Sequence, residues 1–227
     1  MCGRVTLRRP DRVKMEGLDI RPLLGQAPRY NIAPTQDLWT ITEGNTERVL
    51  SKMRWGLIPP WSEKPAGFIN ARAETLESKP SFREAFQRRR CLIPADGFYE
   101  WEKLGKAKQP HYFQMKDEEP FFLAGIWDLW QRDSASITSC AIITGPPNRL
   151  LAQIHDRMPV ILPDDARDIW LRSNAKVEEL KEFLIPFPES EMQGFPVSRE
   201  VNSAAVDEPG LVEPIEREHE VRAGMLF

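Results

Sequence analysis

The feature that most constrains the fold is a run of five short β-rich segments, each separated from the next by turn residues. The segments are residues 91–94, 97–102, 111–115, 121–130 and 137–144. Because consecutive strands joined by short turns pair antiparallel, this pattern predicts a mainly antiparallel β-sheet or a partly closed barrel. Helical stretches lie outside this run, so we expect an α+β fold with helices packed outside the sheet.

The flanking chain adds two further strands and several helices. Residues 37–43 and 46–55 read as strands around a turn at 43–45, and residues 55–69 form a proline-rich loop. Ser81 and Glu84 have the spacing of a capping box, which predicts a short helix. Further helices are expected at 148–155, 164–172 and 176–184. A doubly wound parallel sheet would need regular alternation of strands and helices, which this sequence does not show.

Composition bounds the class of protein. The chain has 227 residues and a net charge of −3, and no break in composition divides it. We therefore expect one domain over residues 2–202, followed by a polar, poorly ordered tail at 203–227. No secretory signal or membrane-spanning apolar run is seen, which predicts a cytoplasmic protein. The acidic balance argues weakly against nucleic acid, although a local basic groove would still bind it.

The chemistry of the N-terminus points to Cys2. Cys91 and Cys140 lie in apolar stretches and read as buried, inert thiols, and no pair of cysteines has metal-ligand spacing. Removal of Met1 would leave Cys2 as a 1,2-aminothiol. Its amine can condense with an aldehyde to an imine, and its thiol can then close a thiazolidine ring. The alternative is that Cys2 has no chemical role and is simply the residue after the initiator methionine.

Six segments carry a resemblance to a known family. They are residues 2–4, 29–34, 54–61, 69–74, 96–101 and 154–160. Together and in this order they resemble the SOS-response-associated peptidase (SRAP) family, over Cys2 to about Arg199. The resemblance implies the SRAP fold and a covalent sensor of abasic sites in single-stranded DNA, in the DNA damage response. It implies no cofactor and no metal.

The resemblance assigns three residues to the site beside Cys2. Asn70 would orient the amine and the sugar oxygens, since a carboxamide donates and accepts without titrating. Glu100 and His155 would move protons, because a carboxyl among aromatics and an imidazole can titrate near neutral pH. The alternatives are a turn asparagine, a solvent-facing strand glutamate and a histidine at a helix C-terminus. Glu102, His111 and His219 are left out of the site.

The resemblance also implies a DNA-binding set: Arg4, Pro34, Trp55, Trp61, Arg72, Thr144 and Arg157. The guanidinium groups match phosphate geometry, and the proline and tryptophans would form a wedge or stacking platform for bases. Trp55 could equally belong to the core. Ser62 stands where the family often carries a second aromatic, which reduces the expected stacking surface.

These features predict self-crosslinking to abasic single-stranded DNA by a monomer that associates with the nucleoid when bound. Fork-junction DNA, a lyase reaction by β-elimination and N-terminal autoprocessing by a peptidase activity remain open, and a general protease is not expected. One alternative is an N-terminal-cysteine amidohydrolase of the glutaminase type. Another is a non-covalent reader of modified DNA.

Overall fold

The computed structural model describes residues 2–44 and 47–216, and β-strands dominate it. The strands are β1 Val5–Leu7, β2 Arg29–Ile32, β3 Asp37–Glu43, β4 Arg48–Trp55, β5 Asn70–Arg72, β6 Arg90–Ala95, β7 Gly97–Leu104, β8 Ala107–Met115, β9 Phe121–Arg132, β10 Ala135–Gly145, β11 Met158–Pro159, β12 Ile161–Leu162 and β13 Met192–Pro196. The α-helices are α1 Pro80–Arg88, α2 Arg149–Ala152, α3 Asp164–Leu171 and α4 Val177–Glu182. None of the helices in these ranges is long and apolar enough to cross a bilayer.

The strands form two sheets. The smaller sheet has the order β13-β8-β7-β1-β2, and all its neighbours pair antiparallel. In the larger sheet the path β11-β10-β4-β3-β6-β9-β12 is closed by pairing of β9 with β10, so that β10, β4, β3, β6 and β9 form a ring. Closure leaves these strands no free edges. The predicted α+β fold with a mainly antiparallel, partly closed barrel is therefore confirmed.

Most of the longer elements lie where the sequence predicts them. The hairpin of β3 and β4 pairs from Asp37 with Arg54 to Glu43 with Arg48, and its predicted turn residue Asn45 lies outside the described residues. The predicted capping box is wrong. α1 begins at Pro80 after Lys79, and Ser81 lies inside the first turn, because proline's fixed φ favours the first helical position.

Side-chain alternation along β7 divides the core into two clusters. Phe98 stacks on Phe113 inside the main core, whereas Tyr99 packs on Tyr112 in a second cluster. Successive strand residues point to opposite faces, so Glu100 lies on the face of Phe98. The prediction for Cys91 and Cys140 is confirmed, since both thiols are free and fully buried in the main core.

The segment after Asn202 differs from the poorly ordered tail expected for it. The side-chain amide of Asn31 donates hydrogen bonds to three main-chain carbonyl oxygens in and just before this segment, those of Val201, Ser203 and Val206. The Asp207 carboxylate accepts from the Asn31 main-chain N–H, and Leu211 is buried. The expectation is wrong for residues 203–216 because their polar groups bond to the protein, and residues 217–227 lie outside the described range.

Candidate active site

The N-terminal segment is held in place by a buried carboxylate. Asp96 is fully buried and accepts hydrogen bonds from the Thr6 hydroxyl (2.6 Å), the Arg9 main-chain N–H (2.8 Å) and the Arg8 main-chain N–H. β1 therefore docks firmly on β7. The Tyr99 main-chain N–H also donates to the Arg4 carbonyl oxygen (3.1 Å), so the pairing continues to within two residues of Cys2.

Asn70 contacts Cys2 directly. Its side-chain Nδ2 donates to the Cys2 carbonyl oxygen at 2.8 Å. β5, which begins at Asn70, is held by parallel pairing with β10, where Asn70 is in register with Ile142. The Asn70 Oδ1 is buried and has no hydrogen-bond partner in the described part of the chain. An acceptor is thus held next to Cys2 and can bind a donor supplied by a ligand.

Glu100 is a buried acid in the same place. Its side chain is 2% exposed, and this burial raises its pKa from 4.5 to about 7. Cys2 is fully buried, and burial followed by the charge of Glu100 raises the pKa of its thiol well above neutral. The resting thiol is therefore protonated at neutral pH, while the carboxyl is poised between its two forms.

His155 faces Glu100 through its Nε2 atom. Its Nε2 lies 3.9 Å from a Glu100 carboxylate oxygen, and its Nδ1 accepts a hydrogen bond from the Arg157 main-chain N–H at 3.0 Å. Asp156 Oδ1 is also 3.0 Å from Nδ1 and would favour the charged ring. Burial has the larger effect and lowers the His155 pKa, so the ring is neutral at pH 7 with its proton on Nε2.

These contacts bring the four predicted catalytic residues together, although they lie far apart in the sequence. Cys2, Asn70, Glu100 and His155 come from the N-terminal segment, β5, β7 and the turn after α2 respectively. The set offers a thiol, a carboxamide, an acid that titrates near pH 7 and a neutral imidazole N–H. Such a set can manage the proton transfers of a nucleophilic addition.

The three predicted phosphate contacts have different surroundings. Arg72 is exposed on β5. Arg4 donates to the carbonyl oxygens of Gly3 (2.9 Å) and Asn202 (3.4 Å). Arg157 is only 13% exposed and is engaged by Glu74 and by the carbonyl oxygen of Thr144. Arg72 is the most exposed of these three arginines, since Arg4 and Arg157 are only partly exposed.

The predicted stacking platform needs one correction. Trp55 is fully buried in the main core and donates its indole N–H to the Ile69 carbonyl oxygen at 2.8 Å, so it cannot stack on a base. Trp61 is 66% exposed and Pro34 is half-buried. Thr144 is also fully buried. The exposed aromatic surface of this region is thus that of Trp61.

Sequence reasoning missed a side-chain pair beside the site, made by the buried His111 and the partly exposed Glu102. His111 is 4% exposed, lies opposite Glu100 across the pairing of β7 and β8, and places its Nε2 2.9 Å from a Glu102 carboxylate oxygen. Glu102, which the sequence analysis left out of the site, therefore bonds to a buried residue and is only partly exposed. The sequence could have indicated this pair, because Glu100 and Glu102 are two residues apart in a predicted strand and their side chains therefore lie on the same face.

Comparisons with known proteins identify the family of the chain. The profile of the family "SOS response associated peptidase (SRAP)" matches residues 1–204. The chain is 41% identical over 222 residues to abasic site processing protein YoqW of Bacillus subtilis, covering 94% of this chain and 99% of that protein. It is 30% identical to abasic site processing protein YedK of Escherichia coli, covering 95% and 100%.

A solved structure shares the architecture as well. A crystal structure of a protein from Bacteroides thetaiotaomicron superposes with a TM-score of 0.82 at 26% identity, covering 95% of this chain and all of the other. The family profile, the relatives and the fold therefore lead to the same assignment. The chain belongs to the SOS response associated peptidase (SRAP) family.

Proposed function

We propose that this protein forms a covalent crosslink with abasic sites in single-stranded DNA through the amine and thiol of Cys2, after removal of Met1. The observation that carries the proposal is the convergence of Asn70, Glu100 and His155 on a buried Cys2. The relatives YoqW and YedK are named abasic site processing proteins, which supports abasic DNA as the substrate.

The amine acts first in this mechanism. The free Cys2 amine attacks the C1′ aldehyde of the open-chain deoxyribose, and the resulting carbinolamine loses one water to give an imine. The buried thiol is protonated at this stage, so it does not compete for the aldehyde. The neutral His155 Nε2–H donates to a sugar oxygen during ring opening, and Asn70 Oδ1 accepts from the amine.

Ring closure follows from the same groups. Glu100 in its ionised form accepts the thiol proton, the sulfur bonds to the imine carbon, and the former imine nitrogen takes up a proton to complete the thiazolidine. A carboxyl with a pKa of about 7 can return that proton, which suits a base that must also act as an acid. The net reaction joins protein and sugar with loss of one water.

Contacts to the strand complete the proposal. Arg72 would bind a phosphate and Trp61 would stack on an exposed base, which favours single-stranded over duplex DNA because stacking needs splayed bases. Arg4, Pro34 and Arg157 would line the strand's path. β-Elimination from the imine, autoprocessing of the N-terminus, binding of fork junctions, a monomeric state and a cytoplasmic, nucleoid-associated location remain predictions.

The test is mass spectrometry of the purified protein after incubation with an abasic single-stranded oligonucleotide. The N-terminal peptide should carry the oligonucleotide with loss of one water. A Cys2→Ser protein keeps the amine and should form only a borohydride-trappable imine, whereas the control Cys91→Ala, which removes a buried thiol elsewhere, should crosslink like wild type. An unmodified N-terminal peptide would refute the proposal, and turnover of free glutamine without DNA would favour the amidohydrolase.

A further inference from the structure

Arg157 is tied to two different parts of the molecule. Its guanidinium makes a two-point ion pair with Glu74, with Nη1 2.5 Å and Nη2 2.9 Å from the two carboxylate oxygens. The Nη2 also donates to the carbonyl oxygen of the fully buried Thr144. Three hydrogen bonds in a fixed fork hold this side chain in one place, unlike a mobile surface arginine.

The main chain of Arg157 controls His155. The Arg157 N–H donates to His155 Nδ1 at 3.0 Å, which favours a neutral ring with its proton on Nε2, the nitrogen that faces Glu100 at 3.9 Å. The Asp156 carboxylate oxygen, 3.0 Å from the same Nδ1, favours the opposite tautomer, so the Arg157 N–H must stay in place to keep the proton on Nε2. A shift of the Arg157 backbone would release Nδ1 and let the ring turn or change tautomer. The position of Arg157 therefore decides which nitrogen reaches the site.

Glu74 connects this turn to the strand that bears Asn70. It lies in the short 3₁₀ helix Ala73–Thr75, directly after β5, and its carboxylate holds Arg157 from a distance of 83 residues in the sequence. The bond to Arg157 lowers the Glu74 pKa, so the pair stays ionised at neutral pH. This ion pair thus connects the segment that bears Asn70 with the turn that bears His155.

We propose that Glu74 is a positioning residue for His155, acting through Arg157. Its carboxylate fixes the Arg157 side chain, the backbone of Arg157 fixes the His155 ring, and the ring presents Nε2–H to the reacting sugar. The inference rests on the proposed crosslinking function. It gives Arg157 an internal role in addition to its proposed place along the DNA strand.

The experiment compares Glu74→Ala and Glu74→Gln with the control Glu77→Gln, which removes a nearby glutamate charge that pairs with Lys181 at 2.7 Å. Three quantities are measured: the crosslinking rate at saturating abasic oligonucleotide, the affinity for undamaged single-stranded DNA, and the His155 tautomer by long-range ¹H–¹⁵N NMR. The chain has three histidines, so the imidazole signals can be assigned with one His155→Gln sample. Melting curves confirm that each variant is folded.

Glu74→Ala should slow crosslinking by about 100-fold, the loss that a misplacement of about 1 Å can cause. It should also populate the Nδ1–H tautomer. The DNA affinity should be unchanged or higher, because the substitution removes a negative charge beside Arg157. Glu74→Gln should fall between wild type and Glu74→Ala, since its amide oxygen retains one acceptor for Arg157, and Glu77→Gln should match wild type.

Two outcomes would overturn the inference. One is a Glu74→Ala protein with wild-type rate and tautomer. The other is a loss of rate matched by an equal loss of DNA affinity, which would make Glu74 a support for DNA binding. The tautomer is read without DNA, so a wild-type protein that forms no adduct would defeat the proposed function alone, and the NMR comparison would still decide the role of Glu74.

Discussion

Glu100→Gln should make the protein more stable at alkaline pH while it slows crosslinking. The folded state raises the pKa of this carboxyl from 4.5 to about 7, because the side chain is 2% exposed. The folded state therefore binds more protons than the unfolded state between these two values, and stability falls as pH rises through them. At 1.36 kcal/mol for each pH unit, the ionised wild type loses about 3 kcal/mol by pH 8.

Glutamine has a similar shape and does not ionise, so the variant should escape this loss. Urea denaturation at pH 4.5 and pH 8 should show the free energy of unfolding of Glu100→Gln rising relative to wild type by about 3 kcal/mol between the two. The rate of crosslinking should fall about 100-fold, the lower range for removal of a general acid–base group. Stability and activity would then change in opposite directions, as at many functional sites.

The matched control is Glu77→Gln, the same substitution at a half-exposed position. Its free energy of unfolding should follow the wild-type pH dependence. If the difference between Glu100→Gln and wild type stays flat from pH 4.5 to pH 8, the carboxyl does not have a raised pKa, and the argument that it serves as both base and acid near neutral pH is refuted.

Three other predictions follow from the placement of single side chains. Asn70→Asp removes the donor to the Cys2 carbonyl oxygen and adds a negative charge there, so single-turnover crosslinking should slow by about 100-fold. Arg72→Ala should make the slope of log affinity against log salt for undamaged single strands shallower by about 0.7, the value for one phosphate contact, in a fluorescence titration. Trp55→Ala should destabilise the protein by about 3–5 kcal/mol in urea, whereas Trp61→Ala should leave stability within about 0.5 kcal/mol and weaken single-strand binding by about 1–3 kcal/mol.

Local pattern was enough for the longer elements and not for the short ones. Strands β3 and β9 span 7 and 12 residues, which is long enough to show a strand pattern. Helix α3 begins with two acidic residues after a proline, which is a typical helix start. Each of these elements can therefore be predicted from its own residues. β1 and β5 have three residues each and form only because partners from distant segments pair with them. A strand this short carries no periodicity to detect.

The site shows the same division. Motif resemblance indicated Asn70, Glu100 and His155, but nothing local distinguished the buried Trp55 from the exposed Trp61, because both lie at the ends of one proline-rich segment. The pairing of Arg157 with Glu74 could not be predicted either, since the two residues are 83 positions apart in the sequence. Which tryptophan is accessible and which arginine is occupied depends on what packs against each, and only the folded chain specifies that.

The proposed amine–thiol pair could be read from a single residue, because after removal of Met1 both groups of Cys2 are joined by covalent bonds and are neighbours in any fold. The surroundings of that pair come from the folded chain. Burial by atoms from distant strands keeps the thiol protonated and raises the pKa of Glu100, and one backbone N–H selects the His155 nitrogen that faces the site. Desolvation and hydrogen-bond geometry depend on every segment that surrounds a group, so they exist only once the chain has folded.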